Sequence, residues 1–565
     1  MSESAPRGDI ATVEPTPDRP RAARSPHPGA VALWLLLLTP IVLALAEAVR
    51  SPRMNYWDFW RVIGITTDAN GSLDPATFTE LYNEHPVVLV AMLFWADAKL
   101  FAGSNAALGI ATFVLALATY LALWRMLPEK PTGLPRLAVL TALSLLVFSS
   151  AGTDYYGAGW MGIQWFAGIA PAVVAIAFAH RGHTVPATIL AVVASLGHGA
   201  AFPVWIALAL IAWLRRDRPW KVLLPLVLGL GVLILWRLAT SNEPGSPPAI
   251  LGADTYFGSV VTVLGRTWAA STADTAMVCG VAMLVAIGLA VTDAVKRRGT
   301  APEQTDQVND AGWVGLGLHM ALAAVLIGLG RGRYSNIEGL SARYAIIGLL
   351  AVGALLVLLA VRAQGRVQRY LVPIALVVGL GTYAVGSSSA YLLRKDYPTQ
   401  PVLAVAMQTG AASVVKKMNA YPEFLPKYRL LGVYPFTPDF TLGCGAGGPE
   451  LGSRIDVAAT PVITAAPNAE RTAGFIESPA VTGDTTLTGW AFLGGEQPDC
   501  VLVTDAAGTV VGGGAVGLPR RDVATEFGTI TGRAGWEAVA RPGLKDGLVF
   551  ASREGRLYRL SPAAP

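Results

Sequence analysis

The sequence predicts a mainly α-helical membrane protein, with about eleven transmembrane helices plus juxtamembrane helices, followed by a C-terminal extracytoplasmic β-sandwich domain. Charged residues make up only 14% of the 565-residue chain and hydrophobic residues 53%, whereas soluble domains carry about 25% charged residues. Apolar runs long enough to span a bilayer recur up to about residue 390,. Beyond that point the apolar runs shorten, and Gly, Thr, Asp and Pro become frequent. The chain is therefore expected to be an integral membrane protein with a polar C-terminal third.

Eleven apolar segments are predicted to cross the membrane. The stretch 186–214 is too long for one ordinary helix and carries Gly197-His198-Gly199 in its middle. It is therefore predicted to form two short helices that meet near the outer face. The eleven segments are 30–49, 105–124, 136–150, 166–180, 186–197, 202–214, 222–239, 273–295, 312–330, 343–361 and 370–387.

The basic loops set the predicted orientation in the membrane. Residues 1–28 are rich in Pro, Arg and Ser without apolar periodicity, which predicts a disordered cytoplasmic tail,. Cytoplasmic loops carry an excess of Lys and Arg. Placing the basic loops inside leaves the N-terminus inside and everything after Ser387 outside. The positive charge forms no basic stripe, which argues against nucleic acid as a partner. The basic loops are 125–136, 215–221, 296–298 and 362–369.

The first outer loop, from about 50 to 104, is predicted to have structure of its own. Its segment 85–102 is nearly long enough to span, but a crossing there would place the basic 125–136 loop outside. The segment also carries Asp97 and Lys99, which are costly at membrane depth. We therefore expect it to lie in the outer interface. A short helix is predicted at 75–83, with Asp74 as its cap before Pro75,.

The C-terminal third is predicted to lie outside the membrane as a connector (391–469) and a β-sandwich (470–565). Alternating stretches at 485–493, 500–514 and 547–560 are separated by turn signals,. Trp490 and Trp536 are either sugar platforms or core residues, and buried core is the commoner place for tryptophan. Cys444 and Cys500 are disulfide candidates if this part is exported, although spacing alone leaves the pairing open.

The order of features in the first 240 residues is distinctive. The acid Asp58 follows the first apolar run in the stretch NYWDFW (55–60), and His85-Pro86-Val87-Val88 and Lys99-Leu100-Phe101-Ala102-Gly103 flank the interfacial helix. A spanning helix that ends in Arg, another spanning helix and a second outer acid, Asp154, follow. This order resembles the N-terminal module of the GT-C superfamily of membrane glycosyltransferases, whose pattern HPPL…KLFG is similar here except for the second proline. The resemblance covers about residues 30–240.

The resemblance implies an enzyme that takes a sugar from a polyprenyl-phosphate donor and transfers it to an acceptor on the outer face. It also implies that an acid of the first outer loop acts as general base on the acceptor hydroxyl, and by position this acid is Asp58. The superfamily often has a second acid at the place of Asp154, where it binds acceptor or a metal. Glycosyl transfer needs such a base and also cations that stabilise the leaving phosphate.

Three acids are therefore candidate catalytic residues: Asp58, Glu84 and Asp154. Each also has a structural interpretation. Asp58 would be an incidental acid in an interfacial aromatic belt, Glu84 would favour the N-terminus of a helix, and Asp154 would lie in an ordinary Gly-rich turn.

Four residues are candidates for binding the donor phosphate: Arg331, Arg333, Arg343 and His198. Arginines on the outer side depart from the positive-inside trend, and a guanidinium fork suits a phosphate. The alternative is that these arginines snorkel to lipid phosphates. Related enzymes often place a Lys near His198, but His is mostly neutral at pH 7 and would alternatively satisfy the broken helix.

The candidate substrate-binding residues are aromatic and polar side chains of the outer loops. Aromatic rings can stack on sugars or partly desolvate an acid, which raises its pKa. These candidates are Trp57, Trp60, His85, Tyr155, Trp160, Gln164 and Tyr344.

The expected function is sugar transfer to a glycan, lipid or protein acceptor of the cell envelope, in a bacterial plasma membrane. No cofactor is expected beyond the polyprenyl-phosphate sugar, and no metal-ligand cluster is evident, although a divalent metal stays open. The expected partners are the bilayer, the lipid-linked donor and the envelope acceptor. One alternative is a transporter or flippase for a lipid-linked sugar, which would tend to show two similar halves. A second alternative is a non-catalytic glycan-binding envelope protein. That alternative does not explain the outer loops in which Asp58 and Asp154 lie among aromatic residues.

Overall fold

The computed structural model describes residues 28–80, 87–239, 252–269, 272–300, 305–332, 334–364, 366–528 and 531–562. Residues 1–27 of the predicted N-terminal tail lie outside the described residues. The first helix begins at Pro28. Asp74 caps its short helix as predicted, because its carboxylate accepts a hydrogen bond from Ala76 N at 3.0 Å. The elements of this first part are α1 (Pro28–Arg50), α2 (Asp58–Thr66), the 3₁₀ turn Pro75–Thr79 and α3 (Val88–Phe101).

The rest of the membrane part is a helical bundle. Its helices are α4 (Asn105–Met126), α5 (Gly133–Val147), α6 (Thr153–Gly157), α7 (Gly159–His180), α8 (Thr184–Gly197), α9 (Val204–Leu214), α10 (Pro219–Ala239), α11 (Ala253–Gly265), α12 (Ala273–Thr300), α13 (Thr305–Arg331), α14 (Ala345–Arg362), α15 (Arg366–Arg369) and α16 (Leu371–Asp396). Short 3₁₀ turns join or extend them at Ser150–Gly152, Gly199–Ala201, Arg266–Trp268, Glu338–Leu340, Ala342–Tyr344 and Tyr397–Thr399.

Nine of the described helical segments are long and apolar enough to cross a membrane. This agrees with a multi-span membrane protein and corrects the predicted number of eleven. Two predicted crossings are the short helices α8 and α9, with 14 and 11 residues. At about 1.5 Å per residue, neither reaches across a hydrocarbon core of about 30 Å. They are separated where predicted, because the extended backbone of His198 ends α8.

The basic loops meet at one end of the bundle, as the predicted orientation requires. Arg181 donates to the carbonyl oxygen of Arg125 at 2.6 Å. Arg297 and Arg362 both pair with the buried carboxylate of Asp310 at 2.9 Å. We call the opposite end the outer end. Since α14 begins just after the turn Ala342–Tyr344 and ends at Arg362, that turn lies at the outer end. Which side of the membrane each end faces stays a prediction.

The connector covers the first outer loop at the outer end. Its helices are α17 (Gln400–Thr409), α18 (Ala412–Lys417) and α19 (Leu425–Leu431), with a 3₁₀ turn at Pro422–Phe424. The hydroxyl of Tyr428 donates to the carbonyl oxygen of Trp60 at 2.6 Å. The ammonium of Lys427 donates to the carbonyl oxygens of Gly64 and Thr67 at 2.8 and 2.6 Å. Because terminal helix carbonyls lack intrahelical partners, Lys427 stabilises the C-terminal end of α2.

Asn105, at the start of α4, fixes the junction between the first outer loop and α7. Its side chain is fully buried. The amide nitrogen donates to the carbonyl oxygens of Gly157 and Pro52 at 2.9 and 3.0 Å, and the amide oxygen accepts from Gly159 N at 2.8 Å. One side chain thus joins the end of α1, the start of α4 and the α6–α7 turn.

The C-terminal domain is a closed seven-stranded β-barrel, and the predicted sandwich is wrong. The barrel order is β2-β3-β6-β5-β4-β7-β8, and β8 pairs back to β2, which closes the sheet. The short β1 pairs with β8 outside this ring. The elements are β1 (Val462–Ile463), β2 (Ala473–Ile476), β3 (Thr486–Phe492), β4 (Cys500–Thr504), β5 (Val510–Leu518), α20 (Arg521–Phe527), β6 (Gly535–Ala540), β7 (Leu548–Arg553) and β8 (Arg556–Pro562).

The glycines of β5 explain why the sheet closes. At Gly512 and Gly514, backbone carbonyls of β6 stand where a Cβ would be. A register shift follows between Val516 and Leu518. Missing side chains and such irregularities let a sheet bend strongly, which closure into a barrel requires. Short alternating strands occur in sandwiches and barrels alike, so strand pattern alone did not separate the two folds.

Both tryptophans of the barrel are core residues. Trp536 is 1% exposed and lies in the interior cluster of the barrel. Trp490 packs against Phe492 and Phe527, with ring centroids 5.8 and 5.4 Å away. Neither ring offers an open face to a sugar.

Covalent and hydrogen bonds fix the barrel to the connector, and two of these links are distant in the sequence. Cys444 and Cys500 form a disulfide that joins the connector to β4. The carboxylate of Asp484 accepts hydrogen bonds from the backbone nitrogen and the hydroxyl of Ser413 at 2.9 and 2.6 Å. The barrel is therefore docked on the connector and not merely tethered to it.

Asp97 of α3 is a buried acid with a predicted effect on stability. It is 4% exposed, and burial raises its pKa to about 8, which the backbone N–H of Ser104 opposes in part. In the unfolded chain an Asp ionises near pH 4. The folded protein therefore holds a proton that the unfolded chain releases between about pH 4 and pH 8, and stability falls as the pH rises through this window.

Replacing Asp97 by Asn should remove this pH dependence. Thermal unfolding of the purified protein, followed from pH 5 to pH 8, should show a smaller loss of stability in Asp97→Asn than in the wild type. The difference should amount to at most about 1.4 kcal/mol per pH unit. The control is Asp546→Asn, at an exposed position of the barrel. The same pH dependence in all three proteins would contradict the prediction.

Candidate functional site

A cavity of about 270 Å³ lies at the outer end of the bundle. It is bounded by α7, the break between α8 and α9, α10, α13 and the turn before α14. Its polar lining residues are Gln164, His198, Arg331, Arg343 and Tyr344. Its apolar side chains are Trp165, Ala200, Phe202, Leu233, Trp236, Leu326 and Ile327.

The charge of the cavity is positive. Arg331 and Arg343 are among its lining residues, and no acidic residue is among its described lining residues. The Nε of Arg343 and the side-chain nitrogen of Gln164 are buried and have no hydrogen-bond partner among the described residues. Buried donors are normally satisfied. Donor groups of this kind suit hydrogen-bond acceptors, and guanidinium groups pair well with oxyanions.

His198 both caps the helix break and lines the cavity. Its Nδ1 accepts a hydrogen bond from Ala200 N at 3.0 Å, which places the proton of the neutral ring on Nε2. Its ring packs on Trp165 with centroids 4.2 Å apart. Gly168 allows this approach, because a Cβ there would stand 2.8 Å from that of His198. The sequence offered two interpretations of His198, as a phosphate ligand and as a residue that satisfies the broken helix. Its position is compatible with both.

The mouth of the cavity lies between α10 and α13. Leu233 of α10 and Leu326 of α13 line it, although they are 46% and 43% exposed on the surface of the bundle. Phe202 and Trp236, which also line the cavity, contact each other with ring centroids 5.8 Å apart. In a membrane such exposed apolar side chains face lipid. An apolar chain could therefore run from the cavity into the bilayer while a polar head stays inside.

The aromatic residues around Asp58 differ sharply in exposure. Phe59 and Trp60 are fully buried and Tyr56 is 5% exposed, whereas Trp57 is 45% exposed. Trp60 packs on Tyr428 with centroids 4.8 Å apart. Although Trp60 was predicted to bind substrate, its burial leaves no face for a sugar. Of the four rings, only Trp57 offers one.

Asp58 is the first residue of α2 and is partly exposed. A carboxylate is favourable at a helix N-terminus. The preceding Trp57 has φ 56°, which is unusual for a bulky residue. The Trp57 ring contacts Trp160 of α7 with centroids 6.1 Å apart. Gln164 follows Trp160 by four residues, so the two lie on one face of α7. The Asp58 loop is thus connected to the cavity through the first turns of α7.

Asp154 lies on α6, beside a buried arginine that the sequence did not predict. Arg266 is 9% exposed. Burial lowers its pKa, and the charge of Asp154 opposes this shift. Tyr155, next to Asp154, is 1% exposed and donates its hydroxyl to the carbonyl oxygen of Arg343 at 2.7 Å. Tyr155 thus supports the turn that carries Arg343.

The structure brings five predicted residues together in one cavity, namely Gln164, His198, Arg331, Arg343 and Tyr344. Trp160 and Tyr155 are buried and do not line it, and Asp58 and Trp57 lie in the first outer loop, where the Trp57 ring contacts Trp160. Three predicted residues lie outside the described residues: Glu84, His85 and Arg333.

The residues missed from the sequence include Arg266, beside Asp154, and Phe202 and Trp236 in the cavity lining. Arg266 had a usable signal, because it is the one charged residue in the stretch GSVVTVLGRTW (258–268). A charge in such surroundings marks a paired or functional residue. Phe202 and Trp236 gave no such signal, since aromatic residues are common near the ends of membrane helices.

Comparisons with protein-family models, curated proteins and solved structures give no match for this chain.

Proposed function

We propose that this protein transfers a sugar from a polyprenyl-phosphate donor to an acceptor hydroxyl at the outer end, as the resemblance to the GT-C superfamily implies. The observation that carries the proposal is the cavity with Arg331 and Arg343. It combines two guanidinium groups, unsatisfied buried donors, the absence of acids from its described lining and a mouth lined by exposed leucines. These properties suit a ligand with a phosphate head and a long apolar tail.

The proposed reaction uses the cavity and the Asp58 loop together. The acceptor oxygen bonds to the anomeric carbon of the sugar while the bond from that carbon to the phosphate oxygen breaks. Asp58 takes the proton of the acceptor hydroxyl. The phosphate leaves with its electron pair and stays on the polyprenyl chain, where Arg331 and Arg343 stabilise its added charge.

The test is a comparison of two lipids that differ only in the head group. The purified protein in nanodiscs is titrated with a polyprenyl phosphate and with the polyprenol of the same length. Binding is followed by intrinsic tryptophan fluorescence, to which Trp165 and Trp236 of the cavity lining contribute. One charge-assisted hydrogen bond contributes about 1.5–3 kcal/mol, so the phosphate should bind at least about tenfold more tightly. Equal affinities would contradict the proposal.

Transfer is then measured in membranes with radiolabelled polyprenyl-phosphate sugars. We expect label in an envelope glycan, lipid or protein with at least one donor. Phosphate-dependent binding without transfer from any donor would favour the transporter instead.

A further inference from the structure

We propose that Tyr155 is a positioning residue for the cavity rather than a substrate contact, and that its hydroxyl holds Arg343 and Tyr344 in place. The inference rests on the proposed function of the cavity and deepens it. It replaces the role that the sequence predicted for Tyr155.

The hydroxyl of Tyr155 is hydrogen-bonded to the backbone of one turn, with a longer contact of 3.5 Å to the carbonyl oxygen of Ala342 beside two shorter bonds. It donates to the carbonyl oxygen of Arg343 at 2.7 Å and accepts from the backbone nitrogen of Ile346 at 3.1 Å. Since α14 begins at Ala345, the N–H of Ile346 belongs to the first turn, whose donors lack intrahelical partners. Tyr155 therefore caps α14 from another helix. It is 1% exposed, so a substrate cannot reach its ring.

The turn held by Tyr155 carries two lining residues of the cavity. The guanidinium of Arg343 lies over the ring of Tyr344 at 5.4 Å. The Tyr344 ring contacts Trp165 with centroids 5.3 Å apart, and Trp165 contacts His198. Loss of the Tyr155 hydroxyl would leave every one of these side chains present. It would, however, release the backbone that sets where Arg343 points.

Tyr156 provides a matched control. It is adjacent in sequence and 2% exposed, and its hydroxyl donates to the carbonyl oxygen of Val147 at 3.3 Å. Val147 is the last residue of α5 and does not line the cavity. Both Tyr→Phe changes thus remove a buried hydroxyl bonded to backbone, but only the change at Tyr155 affects the Arg343 turn.

The experiment measures lipid binding and donor kinetics of Tyr155→Phe and Tyr156→Phe in nanodiscs. Tyr155→Phe should weaken polyprenyl phosphate binding and raise the donor KM, each by about tenfold, the size expected for a misplaced charge-assisted hydrogen bond. Polyprenol binding should stay within about twofold, because the apolar part of the cavity is unchanged. Tyr156→Phe should leave both affinities within about twofold.

A double-mutant cycle with Arg343→Ala gives the sharper readout. If Tyr155 acts through Arg343, Tyr155→Phe should have no further effect on phosphate binding in the Arg343→Ala protein. Additive effects would overturn the inference. So would an equal loss of polyprenol and phosphate binding in Tyr155→Phe, or equal effects of the two Tyr→Phe changes. Failure of the wild type to prefer the phosphate would instead count against the proposed function.

Discussion

Asp58→Asn should lower the rate of sugar transfer by about 10²–10⁴-fold, the usual contribution of a general base. Asn keeps the size of the side chain but cannot take the proton of the acceptor hydroxyl. Donor binding should stay within about twofold, since the cavity lining does not include Asp58. The measurement is transfer from a radiolabelled donor by purified protein, at saturating donor, together with the binding titration for polyprenyl phosphate.

Asp68→Asn is the control for this change, because Asp68 is an acid of the same loop and its carboxylate stabilises a turn. Its Oδ1 accepts hydrogen bonds from the backbone nitrogens of Asn70 and Ser72, both at 2.8 Å. Asn can make the same turn, so Asp68→Asn should transfer at nearly the wild-type rate. Unchanged transfer by Asp58→Asn would remove Asp58 as the base. Loss of donor binding in that variant would show that its effect is structural.

Arg343→Gln should weaken binding of a polyprenyl phosphate by about 10–100-fold, because a charge-assisted hydrogen bond contributes about 1.5–3 kcal/mol. No ion pair of Arg343 occurs among the described residues, and the cavity lining holds no acid, so the loss of this guanidinium leaves no described carboxylate without its partner. Polyprenol should bind as it does to the wild type. Added salt should also weaken phosphate binding less in the variant than in the wild type.

Arg394→Gln is the matched control for Arg343→Gln. Arg394 is an arginine of the outer end that forms an ion pair with Glu47 and is absent from the cavity lining. Its replacement should leave lipid binding within about twofold. If Arg343→Gln and Arg394→Gln weaken phosphate binding equally, the effect reflects the general surface charge, and the cavity is not the phosphate site.

The sequence predicted the membrane part better than the barrel, for a physical reason. Helices depend on local apolar runs and breaks, so Gly197 and His198 correctly marked the end of α8. Closure of the barrel depends on β8, which pairs with β2 across about 85 residues of chain and with β7 beside it. Such distant pairing leaves no trace in the alternation of residues along one strand.

Within the site, charged residues were easier to place than aromatic ones. Arg331 and Arg343 stood out because arginines on the predicted outer side depart from the positive-inside trend, and both line the cavity. Trp60 and Tyr155 were assigned to substrate because they neighbour acids, yet both are buried. An aromatic ring next to an acid suits a sugar site and a packed core equally well. Only the three-dimensional packing separates these two roles.

The cover that α19 forms over α2 has a consequence for the order of events during synthesis. Trp60 and its partner Tyr428 are 368 residues apart in the chain. Since chains are made from the N-terminus, the NYWDFW stretch leaves the ribosome long before the helix that buries Trp60. At synthesis rates of about 5–20 residues per second, this interval lasts tens of seconds. Throughout it the loop that carries Asp58 lacks its cover, and this loop can take its final shape only when most of the protein is complete.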